Sequence, residues 1–284
     1  MKTWAVVNQK GGVGKTTTAV SAAGWMAAAG RRTLIVDLDP HGSLTSYFGY
    51  DPDTVTPSVY DLFNGDLGSL DVAKALKSTH VENLYLLPAA TAMVTLDRQL
   101  GAKPGMGLVL AKALATVADK FDYAFLDCPP MLGVLIVNAL AGSDHLLIPV
   151  QTEFLAIKGL ERMLHTMEMI ERSRGKKISY LIVPTMFDKR TKASPAALKS
   201  MRDSYHDKVW ASVIPEDTQF REASKDGQPI SSYKPKSRGA IAYHQLVQFL
   251  TGEPLATVND SVKSVTAQTT SPNKNNDEKI QNTG

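Results

Sequence analysis

One cysteine in 284 residues is too few for a disulfide, a thiolate zinc site or a cysteine-ligated iron–sulfur cluster within one chain. Charge of either sign is scarce in excess: 31 Lys and Arg against 28 Asp and Glu leave a net +3. That excludes a polybasic nucleic-acid binder and confines any such surface to a local patch. Long apolar runs are missing too. The opening MKTWAVVNQKGG reaches Asn8 and Lys10 after only a few apolar residues, too short for a signal peptide or a spanning helix, and no other window approaches the required length. A reducing, cytoplasmic, soluble setting is therefore expected. What is present is 43% hydrophobic residues, enough to bury a sizeable core.

Short apolar runs alternate with longer amphipathic ones, which predicts an α/β fold: a doubly wound, mostly parallel sheet covered by helices on both faces. Expected strands are Thr3–Val7, Thr33–Asp37, Leu84–Leu87, Tyr123–Asp127, His145–Val150, Ile178–Pro184 and Val209–Ile214. Expected helices include Thr16–Ala29, which Gly30 can end, and Phe154–Arg172, where Leu155, Leu160, Met163, Leu164, Met167 and Ile170 recur at helical spacing as core residues. Residues 1–252 read as one domain and 253–284 as a polar tail. From Ala256 onward there is no aromatic residue, and three Lys face three acids, so the tail has no apolar face to repay ordering and offers no amphipathic membrane anchor. A solvated end and a tether are equally good readings of it.

The first strand runs into Asn8-Gln9-Lys10-Gly11-Gly12-Val13-Gly14-Lys15-Thr16-Thr17, and an Ala-rich helix follows. This is the arrangement a nucleoside triphosphate requires. Glycines turn backbone amides inward, the helix N-terminus adds partial positive charge, Lys15 reaches the β- and γ-phosphates, and Thr16 is placed to coordinate Mg²⁺. Gln9 stands where the usual pattern has Gly, so the loop is a variant, with Lys10 as a second cation. Simple cradling does not need it, so Lys10 reads as neutralising charge that develops during transfer.

Carboxylates close two strands. Asp37 and Asp39 project on the same side of an extended chain at the carboxyl edge of the expected sheet, where such folds bind ligands. Asp127 ends a buried strand before Cys128-Pro129-Pro130 and can hold Mg²⁺ through water, while the proline pair stiffens a loop able to sense the γ-phosphate. Cys128 reads as a small buried side chain, because no base is evident beside it.

The run Lys10-Gly-Gly-Val-Gly-Lys15-Thr-Thr resembles the signature loop of the deviant Walker-A ATPases of the ParA and MinD group, and the resemblance covers nearly all of residues 1 to 252. It implies an Mg²⁺-dependent ATPase with ATP and Mg²⁺ as cofactors. It also implies a face-to-face homodimer with ATP sandwiched, in which Lys10 crosses to the partner's nucleotide. By the same resemblance Asp39 positions the attacking water and Asp37 is a supporting contact near Mg²⁺. ATP contacts are implied at Lys10, Gly11, Gly12, Val13, Gly14, Lys15, Thr16 and Thr17, with Pro215, Asp217 and Met186 near the adenine. Asn138-Ala139-Leu140 and Val150-Gln151-Thr152-Glu153 look like the partition branch. Iron–sulfur relatives need cysteines that this chain lacks, and MinD needs an amphipathic membrane helix.

The resemblance implies a switch that dimerises with ATP, meets a protein partner that recruits it or stimulates hydrolysis, and resets. The run Asp37-Leu-Asp-Pro-His41-Gly-Ser-Leu-Thr-Ser-Tyr-Phe-Gly49 has His where most partition ATPases have Gln and looks like the ParC branch, which positions polar chemotaxis arrays. The alternative cargo is a plasmid or chromosome partition complex riding on nonspecific DNA. Phe187 to Arg238 holds eleven basic against seven acidic residues, more than the net charge of the whole chain. DNA-binding candidates are Lys189, Arg190, Lys192 and Arg221, with a solvated basic face as the other reading. Arg190 matches a family DNA arginine, but Gln219 stands at the position of a second one and Glu216 where many relatives have Arg. A metabolic ligase of the dethiobiotin synthetase type is a further alternative, against which Lys10 and Gln9 argue.

Overall fold

The computed structural model describes residues 1–64, 72–100, 105–174, 177–252 and 254. The expected tail 253–284, Pro254 apart, lies outside them. Among the described residues seven strands form one sheet: β1 Lys2–Val6, β2 Thr33–Asp37, β3 Lys77–Ser78, β4 Leu84–Leu87, β5 Tyr123–Asp127, β6 His145–Gln151 and β7 Ser179–Thr185. Their order is β3-β4-β2-β5-β1-β6-β7, and every pairing is parallel except β3 with β4. The chain leaves β1 toward β2 on one side and leaves β5 toward β6 on the other. This reversal opens a crevice at the carboxyl ends of β1 and β5.

Alternation along each strand divides the core between two faces. In β1, Ala5 packs on one face with the helices Val109–Ala115, Val134–Gly142, Phe154–Arg174 and Ala193–Tyr205. Trp4 and Val6 pack on the other, with helix α1 (Lys15–Ala28) and the C-terminal helix Arg238–Thr251. Helix α1 is buried on most of its circumference, which explains its small residues: a Cβ on Gly24 would lie 2.3 Å from Pro229. Polar groups lock it in place, since Thr18 Oγ1 lies 2.8 Å from the Tyr243 hydroxyl and Trp25 Nε1 donates to the Ala240 carbonyl. Its end follows the expectation, with Gly30 at φ +77°.

Two expectations need correction. Val209–Ile214 is not a strand: among the described residues its backbone bonds to β7 only where Trp210 N donates to Ile182 O and Ile214 N to Pro184 O. Pro184 has no N–H to return on that edge, so no ladder continues there. Helical spacing puts Leu155 in the buried stripe of its helix, but it and Phe154 are about 70% exposed, while Leu160, Met163 and Met167 are buried as expected. The first turn stands at the sheet's carboxyl edge, directly after β6, rather than over the sheet. Cys128 is fully buried, and burial pushes its thiol pKa up, as a packing role requires. Among the described residues no helix is long and apolar enough to cross a membrane.

Candidate nucleotide-binding site

The loop between β1 and α1 is held from outside itself. Asn8 is buried; its Nδ2 donates to Pro149 O and its Oδ1 accepts from Lys10 N, while Thr185 Oγ1 donates to Val13 O. Gly12 and Gly14 adopt φ of +73° and +93°, which L side chains rarely reach, although open space surrounds both. Glycine is required there by the backbone path. Gly14 caps α1 with no side-chain hydrogen bond and the first turn carries no acid, so its amides face the crevice uncompensated.

Lys15 lies buried under this loop with Nζ donating to Lys10 O at 3.1 Å. Burial lowers its pKa, while the charges of Asp127 and Asp39 oppose the shift. Asp37 and Asp127 sit side by side, because β2 and β5 pair in that register. Burial is the first cause that raises both carboxylate pKa values, and at Asp127 the charge of Asp37 adds to it. Thr16 Oγ1 donates to Asp127 Oδ2 at 2.6 Å, whereas Asp127 Oδ1 is buried with no hydrogen-bond partner among the described residues. A hydroxyl, an orphaned carboxylate oxygen and adjacent acids form an all-oxygen donor set, which fits a hard cation such as Mg²⁺.

Asp37 is otherwise engaged: Oδ2 accepts from the Thr45 amide and hydroxyl, and Oδ1 from the Asp39 amide. Asp37 thus shapes the segment that carries Asp39. No motif in the sequence marks Thr45, whose hydroxyl also accepts from Ala89 N and joins this turn to the chain after β4.

Lys10 points away from its own loop. Its Nζ pairs with Glu153 and lies 3.4 Å from Gln151 Oε1, both at the end of β6. The run Gln151-Thr152-Glu153 stood out in the sequence, but nothing there linked it to a lysine more than 140 residues earlier.

A cavity of about 190 Å³ adjoins the loop and is lined by Val13, Gly14, Thr17, Met186, Pro215, Asp217, Phe220 and Tyr243 among others. The three residues expected near a base, Met186, Pro215 and Asp217, therefore share one wall with the phosphate loop. Asp217 spends Oδ1 on Gln219 N and Oδ2 on Gly239 N, so it ties the C-terminal helix to the cavity wall. Phe220 and Tyr243, stacked edge to face at 5.6 Å, supply an aromatic surface that no sequence motif announces.

The DNA candidates do not form one free cluster. Lys189 and Lys192 are exposed in the loop after β7. Arg190 is forked onto Asp188, with contacts of 2.8 to 3.2 Å, and its guanidinium holds that carboxyl at about 2. Arg221 lines the cavity beside the phosphate loop instead.

A parallel sheet with a glycine-rich loop running into α1, a buried loop lysine and a hydroxyl–carboxylate pair at the strand ends defines a P-loop nucleotide-binding α/β protein. Residues 1–180 match the AAA domain family. The chain is 38% identical over 245 residues to the sporulation initiation inhibitor protein Soj of Bacillus subtilis, spanning 86% of this chain and 96% of that one. It is 37% identical over 248 residues to the chromosome-partitioning ATPase Soj of Treponema pallidum, spanning 87% and 96%. Among solved structures, cobyrinic acid a,c-diamide synthase from Mycobacterium smegmatis, with a bound ATP analogue and magnesium, matches with TM-score 0.75 and 34% identity over 90% of this chain and 99% of that one. This chain belongs to the ParA/MinD family of P-loop ATPases.

Proposed function

We propose that this chain is an ATP-operated switch: ATP joins two copies face to face, the joined form engages its cargo, and hydrolysis separates them. The observation that carries this reading is Lys10. Lys15 already supplies the cation inside the loop, while Lys10 sits partly exposed on the rim and is parked on Glu153 and Gln151 rather than on its own phosphate site. A cation so placed suits a nucleotide lying beyond its own loop.

Within one subunit, the amides of Gly11 to Thr17 and Lys15 hold the phosphates, and the cavity beside Met186, Pro215 and Asp217 receives the adenine. Thr16 and, through water, Asp127 would hold Mg²⁺, with Asp37 behind them, and the ion would neutralise phosphate charge. Asp39 orients the attacking water, as its place beside the loop permits.

Replacing Lys10 with Ala is expected to leave ATP affinity within about threefold of wild type, because Lys15 and the amides remain, but to lower ATP-dependent dimerisation by about tenfold or more. Calorimetric titration with ATP measures the affinity, and sedimentation of the purified protein with ATP and with ADP measures the dimerisation. A mutant that pairs normally in ATP removes Lys10 from the interface. The name of the Mycobacterium structure favours a second reading, an ATP-dependent synthase that amidates an organic acid. A ligase would show no ATP-dependent change of oligomeric state and would turn over faster with its acid.

The cargo we propose is a chemosensory array at the cell pole, carried by the resemblance of the Asp37–Gly49 run and reached through a protein partner that also stimulates hydrolysis. The alternative is a chromosome or plasmid complex moving on DNA, which the name of the Treponema relative favours. With Arg190 neutralised by Asp188, the exposed charge near Lys189 and Lys192 is small. The ATP-loaded Asp39→Ala protein is therefore expected not to bind nonspecific DNA at physiological salt. Salt-steep binding that disappears on Lys189→Glu and Lys192→Glu would make the nucleoid its track.

A further inference from the structure

We propose that His41 is a positioning residue for hydrolysis: its ring fixes the Asp39 carboxylate in one orientation and leaves Oδ2 for the attacking water. The inference rests on Asp39 orienting that water. Asp39-Pro40-His41-Gly42 is a closed turn, with Gly42 N donating to Asp39 O at 2.8 Å. Pro40 limits its own φ, and Gly42 adopts φ +62° against Pro52, where a Cβ would meet a proline carbon at 2.5 Å. The turn therefore has little freedom to carry His41 elsewhere.

Within it, Asp39 Oδ1 accepts twice from the same residue, from the His41 amide at 3.0 Å and from ring Nδ1 at 2.8 Å. An ionised carboxylate can only accept, so the ring proton sits on Nδ1. Both acceptor positions of Oδ1 are then occupied, and rotating the carboxylate breaks two hydrogen bonds at once. Among the described residues Oδ2 receives no hydrogen bond. The other end of the segment is fixed as well, because the Asp39 amide donates to buried Asp37.

The His41 side chain is 81% exposed, so its removal leaves no cavity and an effect on turnover reports on Asp39 rather than on folding. Asparagine is the informative conservative variant, because its Nδ2 occupies the position of the histidine Nδ1. Single-turnover hydrolysis and ATP titration on the full chain test the proposal. His41→Ala is expected to lower kcat roughly tenfold, the worth of one hydrogen bond to a charged acceptor, with KM for ATP unchanged within about twofold. His41→Asn is expected to recover kcat to within about threefold of wild type. Nitrogen NMR should find the His41 ring protonated on Nδ1 and should lose that preference in Asp39→Ala.

Wild-type kcat in His41→Ala, or His41→Asn as slow as His41→Ala, overturns the proposal. The Asp39→Ala control separates the two levels: normal hydrolysis there removes the role of Asp39 and the inference with it. An inactive Asp39→Ala beside an unaffected His41→Ala overturns the role of His41 alone.

Discussion

Lys15→Ala is expected to abolish ATP binding, with affinity lowered by about a hundredfold or more, the cost of removing one partner of a buried charge pair. Lys15 is the buried cation of a crevice that also holds Asp37, Asp127 and Asp39. Burial already works against its charge, and what sustains the charge is the field of Asp127 and Asp39. Deleting the ammonium leaves three carboxylates facing a triphosphate, so the loop amides must overcome repulsion that Lys15 offsets. The Lys10 carbonyl loses its donor in the same step, which loosens the rim of the loop. Calorimetric titration with Mg-ATP measures the loss, and a thermal melt without nucleotide separates it from unfolding. Affinity within threefold of wild type in a folded variant would refute the role of Lys15.

Asp39→Ala is expected to have the opposite signature: hydrolysis lowered about a hundredfold or more, in the range for removing a group that orients or deprotonates a nucleophile, with ATP affinity kept or improved. The physical reason is the same crevice charge. After burial, which is the main cause, the charge of Asp39 also raises the pKa values of Asp37 and Asp127, so its loss relieves repulsion at the phosphate site while removing the acceptor that holds the water. ATP-bound dimer should then accumulate, seen as a stable dimer mass by light scattering and as no phosphate release in a single turnover. Turnover at the wild-type rate would refute it.

The legibility of the chain followed the range of each interaction. Tyr123–Asp127 has the same bounds in sequence and structure, because a run of apolar residues that ends in a carboxylate reports burial on both faces of a central strand. The turn between β1 and α1 was equally readable, since its glycines answer a local backbone need. By contrast β3, only Lys77–Ser78, has no pattern of its own and exists because the edge of β4 offers partners. Val209–Ile214 has the pattern of a strand but meets an edge interrupted by Pro184. Leu155 obeys helical spacing, yet spacing says nothing about where the underlying sheet ends.

The sequence by itself determined the loop, the hydroxyl beside it and the acids at the strand ends, because the types and spacings of these residues carry their chemistry locally. Tertiary structure alone decided which of them meet. It set Asp37 against Asp127 through the register of two strands, gave Asp37 to Thr45, and parked Lys10 on Glu153. The contacts of His41 with Asp39 and of Arg190 with Asp188 are local instead, each made between residues two apart within a turn. Charges and hydrogen bonds act over a few ångströms of space, and the distance along the chain between two polar groups does not fix that separation.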